Sequence, residues 1–233
     1  MRAKKNQEWL SLINDLIKAR YLRTNNIIKA FKSIDRADFV PDNLQFQAYF
    51  NIPLSIGYGQ TISQPLTVAF MLELLQPKAG ETILDIGAGS GWQTAILAYI
   101  VSKSSNNYYQ ESFFNRSRKK ESSGKVIAIE LIPELVEFAR NNLSKYNFIK
   151  KGIVDIICGD ANKDLPKGLY FDKIIAAASA KEVPQFWKKR LKIGGRLVLP
   201  VNNSLLLLIK KSKTKFKKYE YPGFIFVPLI SSK

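Results

Sequence analysis

Residues Ile83–Ala95 read ILDIGAGSGWQTA: an apolar β-type run, an acid near its end, glycines at 87, 89 and 91, then a helix-forming stretch. Glycine is needed where a chain must turn with positive φ, or lie against a ligand with no Cβ between them. The dinucleotide fingerprint G-x-G-x-x-G shapes a helix N-terminus to receive a pyrophosphate. Here the third glycine comes one residue early, which suits a nucleoside carrying no phosphate. The same triplet also fits an ordinary tight strand-to-helix turn, so its surroundings must decide.

Outward from this loop the pattern alternates. ETILDI (81–86) precedes a helix from Trp92 to Val101, and KVIAIE (125–130) precedes a helix from Pro133 to Lys145. IVDIICGD (153–160) and FDKIIAAAS (171–179) read as further strands, and a helix near Val183–Leu191 leads to GGRLVLPV (194–201). Apolar strands alternating with helices predict an α/β fold with a doubly wound, mostly parallel sheet. SLLLLIKK (204–211) and GFIFVPLI (223–230) read as two last strands, an antiparallel hairpin at the sheet edge. Upstream, Trp9, Leu12, Ile13, Leu16 and Ile17 recur at helical spacing, and a second short helix spans Asn25–Ser33. Ser63 followed by Pro65 reads as a helix start, with the serine as N-cap and the proline in the first turn. The expected organisation is one domain over 1–233. Its N-terminal helical part is 1–77 and its α/β core 78–233.

Ser102–Gly124 breaks the rhythm: it is rich in serine, lacks aliphatic residues and carries Arg116, Arg118, Lys119 and Lys120. It reads as a partly flexible surface insertion between the first sheet helix and the second strand. Helix-to-strand connections lie at the N-terminal edge of such a sheet, so it is expected on the face away from the ligand crevice.

Composition narrows the chemistry. The 233 residues are 46% hydrophobic, enough for a sizeable core. No apolar run approaches the ~18 residues of a membrane span, and the first residues lack the apolar core of a secretory signal. Cys158 is the single cysteine, which fits a reducing cytoplasm. There is no histidine, so imidazole acid–base work, His-based triads and His-ligated metals are excluded, and no metal is expected. The net charge of +17 raises nucleic acid as a partner, but the excess is mostly lysine and spread along the chain. A biased genome composition would produce the same pattern, so nucleic acid is not the leading expectation for a partner.

Three acids fall at successive strand ends: Asp85, Glu130 and Asp160. Strand C-termini form the ligand crevice of an open α/β sheet, and an acid ending the second strand can accept both ribose hydroxyls. With the insertion set aside, Glu130 follows the loop at close to the ~20-residue spacing of a ribose-binding acid. Asp160, with Ala161 beside it, stands where an adenine amine would be met. Each acid alone also reads as a helix cap or a solvated loop residue.

GYGQTISQP (57–65), LDIGAGSGWQTAILA, VIAIE, GD followed by a small residue, FDKIIAAASAKEVPQFWKKRLKIGGRLVLPV and FVPLI occur in this order. Together they resemble the protein-L-isoaspartate O-methyltransferase family, over nearly the whole chain outside the insertion. The resemblance implies a Rossmann-like methyltransferase fold. It implies methyl transfer from S-adenosylmethionine to the free α-carboxylate of L-isoaspartyl residues in proteins and peptides, leaving S-adenosylhomocysteine. The ester then cyclises to a succinimide, whose hydrolysis returns some normal aspartate. The family's active-site serine falls on Ser63, and Gln60, Thr61, Ile62 and Ser63 line its cofactor and substrate pocket. Asp85, Gly87, Ala88, Gly89, Glu130, Leu131, Asp160 and Ala161 are the remaining cofactor-binding positions. Ala161 and Asn202 stand where the family has glycine, and a glutamine usual shortly after Asn202 is missing. A monomer is expected.

The residue chemistry agrees. A carboxylate with a pKa near 4 is ionised at neutral pH and a sulfonium is already a good leaving group, so no general base is needed. Positioning carries the task. A methyltransferase of RNA or of a small molecule, and a degenerate cofactor-binding module, are the competing readings. Against the first, no Asn-Pro-Pro-Tyr-type motif is present and Cys158 falls within a strand. Against the second, Ser63, Asp85 and the glycine loop are intact.

Overall fold

The computed structural model describes residues 2–102 and 124–230. The chain opens with α1 (Arg2–Lys18) and α2 (Asn25–Ser33). The indole N–H of Trp9 donates to the Phe31 carbonyl at 2.9 Å, joining the two. DRADFVP (35–41) winds into a 3-10 turn over Arg36–Phe39, capped by Asp35 accepting from the Ala37 N–H at 3.0 Å. A second 3-10 turn (Asp42–Gln47) leads to a small antiparallel hairpin, β1 (Leu54–Gly57) and β2 (Gln60–Ile62).

The helix α3 (Pro65–Leu75) follows, and here one expectation fails. Its N-cap position is Gln64, not Ser63. Proline fits the first helical position and pushes the residue before it into extended backbone, so the cap falls directly ahead of Pro65. The orphan N–H of Leu66 is taken by the side chain of Asn51 at 3.0 Å. Ser63 lies outside the helix.

The remaining elements are β3 (Thr82–Ile86), α4 (Trp92–Val101), β4 (Lys125–Glu130), α5 (Pro133–Ser144), β5 (Val154–Cys158), β6 (Phe171–Ala176), α6 (Gln185–Arg190), β7 (Leu191–Val201), β8 (Ser204–Lys210) and β9 (Phe216–Pro222). They form a seven-stranded sheet in the order β5-β4-β3-β6-β7-β8-β9. The first five are parallel; β8 and β9 run antiparallel. The doubly wound, mostly parallel sheet with an antiparallel edge is therefore present. From β3 the chain winds first to one side and later to the other, so the crevice between the ends of β3 and β6 is the switch point where such sheets take ligands.

Strand periodicity sorts the core into two layers. Ile83, Val126, Ile175 and Val198 pack on one face with Trp9, Phe31, Leu72 and Ile96 from the helices. Leu84, Ile127, Ile174 and Leu197 face the other way, toward Trp187 of α6. Burial on both faces explains why these strands read as continuous apolar runs.

The partner of β8 is FKKYEYP, not GFIFVPLI. As an edge strand it has solvent beside it and carries lysines, which guard an edge against pairing with another chain. GFIFVPLI leaves the sheet at Gly223 (φ +92°) and is interrupted by Pro228, which cannot donate to a ladder. It runs instead past the C-terminal ends of the strands, where the Ser179 N–H donates to Val227 and the Leu229 N–H to Ser179, both at 2.8 Å. Asn202 opens the β7–β8 turn with φ +52°, a conformation natural to glycine that asparagine also tolerates.

The expectation for Ser102–Gly124 falls mostly outside the described residues. Its flanks are clear: the Gly124 N–H donates to the Val101 carbonyl at 3.2 Å, and Lys125 to Glu81 at 2.9 Å. Both ends sit at the start of β3, opposite the switch point.

Candidate active site

A cleft of about 610 Å³ opens over the C-terminal ends of β3, β4 and β6. The loop Gly87–Gly91 forms one wall. Its middle glycine, Gly89 (φ +54°), passes beneath the hairpin, where a Cβ would stand 3.2 Å from Ile56 Cδ1. Gly91 (φ +85°) starts α4 against α5, where a Cβ would stand 3.3 Å from both Ala139 and Leu143. The sharp turn and the close approach both need glycine.

Glu130 holds this wall in place. One carboxylate oxygen accepts the Gly89 N–H at 2.9 Å; the other accepts Leu131 and Ile132 at 2.8 and 3.1 Å. A carboxylate has roughly four lone-pair sites, so one remains for a ligand in the cleft. Asp160, buried at the end of β5, accepts the Asn162 N–H at 2.8 Å and lines the same cleft. Gln60, Thr61, Gly87, Gly89, Leu131 and Ala161 line it as well. So do Ile129 and residues 227–230, which give it an apolar side.

Asp85 is elsewhere. It is fully buried beneath the loop, accepting from Gln93 Nε2 at 2.7 Å and from Thr94 Oγ1 at 2.6 Å. Burial pushes its pKa up to about 6, against the two hydrogen bonds, with the charge of Glu130 adding to the rise. Both donors come from the first turn of α4, so Asp85 pins that helix to β3.

Ser63 lines a second, smaller chamber of about 310 Å³, together with Ile62, Ala88, Trp92 and Gln93. Thr61, Gly87, Gly89 and Ala177 border both spaces, so the chamber adjoins the cleft across the glycine loop. Of the sequence-predicted residues, all but Asp85 thus border one connected region. Residues 227–230 were missed because their apolar run reads as a strand. Arg36, which ties Ser63 to three other carbonyls, carries no motif at all. Among the described residues no group of three His, Cys, Asp or Glu side chains is placed to hold a metal ion, and no helix is long and apolar enough to cross a membrane.

The arrangement offers an acid at the strand end, a wall that meets the cleft through Gly87 and Gly89, and an apolar flank. It fits a nucleoside in the cleft, with the Ser63 chamber beside it. Comparison with known proteins decides the lineage. The model of the protein-L-isoaspartate(D-aspartate) O-methyltransferase (PCMT) family matches residues 6–233.

The chain belongs to this family.

The protein-L-isoaspartate O-methyltransferase of Methanopyrus kandleri is 36% identical over 95% of this chain and 91% of its own. That of Staphylothermus marinus is 37% identical over 99% and 97%. In shape, the chain is similar to a solved Plasmodium falciparum structure described as a β-aspartate methyltransferase (PCMT) in complex with S-adenosyl-L-homocysteine. The TM-score is 0.79 at 23% identity, covering 95% of this chain and 98% of the other. Membership in the PCMT family makes this chain an S-adenosylmethionine-dependent methyltransferase.

Proposed function

We infer that this chain methylates the free α-carboxylate of L-isoaspartyl residues in damaged proteins, the first step of their repair. The observation that carries it is the shared wall: the Ser63 chamber and the Glu130 cleft meet at Thr61, Gly87 and Gly89. A methyl donor in one and a carboxylate in the other would face each other there.

S-adenosylmethionine, when bound, supplies a methyl group on a positively charged sulfur, already activated for transfer. Glu130, with one acceptor site left, would accept a ribose hydroxyl, and Asp160 would accept from the adenine amine. Gly87, Ala88 and Gly89 let it lie against the backbone, and Gln60, Thr61 and Ile62 close the site from the hairpin. Leu131 and Ala161 complete the cofactor side. The Ser63 hydroxyl donates to the acceptor carboxylate and fixes one of its oxygens. No side chain has to take a proton, because the acceptor is ionised at neutral pH. The protein's share is alignment and exclusion of water. That agrees with a chain that contains no histidine. No metal takes part in this scheme.

Repair is the direct test. An isoaspartyl peptide incubated with the protein and S-adenosylmethionine is expected to convert in part to its aspartyl form, resolved by chromatography. Conversion at the same rate without S-adenosylmethionine would contradict the inference.

A further inference from the structure

Arg36 is a buried charge that the scheme above leaves unused. Its Nη1 donates to the carbonyls of Ala48 and Phe50 at 2.8 and 3.2 Å, and its Nη2 to those of Ile52 and Ser63 at 2.9 and 3.2 Å. Its Cζ lies 5.4 Å from the ring centroid of Trp92, which borders the Ser63 chamber. The side chain is fully buried, its Nε has no hydrogen-bond partner, and it makes no ion pair among the described residues. The two acids beside it in sequence are engaged elsewhere: Asp35 accepts from the Tyr49 hydroxyl and Asp38 from that of Tyr146.

A guanidinium buried without a carboxylate is costly. Burial lowers its pKa to about 9, so it remains cationic at neutral pH. Four carbonyl dipoles and one ring face offset part of the cost but leave a net positive charge. Only a planar fork of this length can gather carbonyls from positions 48 to 63 at one point. The last of these belongs to Ser63, whereas neither Glu130 nor Asp160 touches Arg36.

We propose that Arg36 is a positioning residue for the methyl acceptor: it fixes the Ala48–Ser63 segment against Trp92 and sets an uncancelled positive charge behind the chamber that receives the carboxylate. This rests on the isoaspartyl reading of that chamber. It separates the two ligands by degree: the Ser63 contact and the charge bear on the acceptor chamber, and the same segment reaches the cofactor cleft through Gln60 and Thr61.

The experiment compares R36M, which removes charge and fork, with R36K, which keeps the charge and loses the fork. S-adenosylhomocysteine affinity is measured by calorimetry, and KM and kcat with an isoaspartyl peptide, well below each variant's melting transition. R36M is expected to raise the peptide KM by about tenfold or more, the scale of one lost charge-assisted interaction, with R36K in between. Affinity for S-adenosylhomocysteine is expected to change less than the peptide KM, by about threefold at most, since Arg36 bonds no residue that lines the cleft and acts there through Gln60 and Thr61 of the segment it holds. If R36M does not fold, R36K alone decides. An unchanged peptide KM in a folded variant, or cofactor affinity falling in step with KM, would overturn the proposal. A parent protein that fails to methylate isoaspartyl peptide would overturn the inferred function and this proposal together. An active parent with an unaffected variant would overturn this proposal alone.

Discussion

The N–H of Gly89 donates to Glu130 at 2.9 Å, so the middle of the glycine loop is tied to the end of the neighbouring strand. Glu130 is thereby both a ligand candidate and part of the wall the ligand meets. Glu130→Ala is expected to weaken S-adenosylhomocysteine binding by more than the ~1.5–3 kcal/mol of one charge-assisted hydrogen bond, because the loop is released as well. Calorimetry reads this directly. Unchanged affinity would remove Glu130 from the site.

Asp85 is expected to act through stability. Its folded pKa of about 6 lies above the ordinary 3.8, so between these values the folded state holds a proton that the unfolded state has lost. Stability from this group is therefore full below about pH 4, falls as pH rises toward 6, and is level above that, a loss on the order of 3 kcal/mol. Asp85→Asn removes the titration. Denaturant melts across pH 4–7 should show the variant gaining on the parent as pH rises. A constant difference would contradict the assignment.

Ser63 and Asn51 divide two roles that the sequence suggests for Ser63 alone. Asn51 caps α3, so Asn51→Ala is expected to cost ~1 kcal/mol of stability. Ser63→Ala is expected to leave the melting temperature near the parent's. Its kcat/KM with isoaspartyl peptide should fall on the order of tenfold or more, the scale of a lost hydrogen bond to a charged group. Melts and steady-state rates on one preparation separate the two. A destabilised S63A with normal kinetics would restore the serine as a cap.

Val101 and Gly124 already meet, with the Gly124 N–H 3.2 Å from the Val101 carbonyl, at the sheet edge opposite the cleft. Replacing residues 102–123 by a short Gly-Ser turn is expected to leave methylation within about threefold of the parent, because no cleft residue is disturbed. A folded deletion variant without activity would show that the segment serves the site.

What was legible in the sequence follows from what is local. β3 and β4 are apolar on both faces, so ILDI and VIAIE announce themselves, and the glycines that follow need no distant partner to be read. Acids at strand ends bring Glu130 and Asp160 to the cleft. Asp85 shares their position but points beneath the loop, because Gln93 and Thr94 on α4 claim its carboxylate, a pairing that only the packing of helix on strand creates. The C-terminal segment misled for the opposite reason. Phe224, Phe226 and Val227 look like a strand, while the true edge strand, with Lys217, Lys218 and Glu220, looks like a loop. Arg36 was invisible, since its partners are backbone carbonyls and any sequence supplies those.

The most direct measurement of the central claim is labelled-methyl transfer to two peptides that differ only in one linkage, L-isoaspartyl in one and L-aspartyl in the other. Label is expected on the isoaspartyl peptide and almost none on its twin. Equal labelling of both, or label appearing in RNA and in neither peptide, would contradict it.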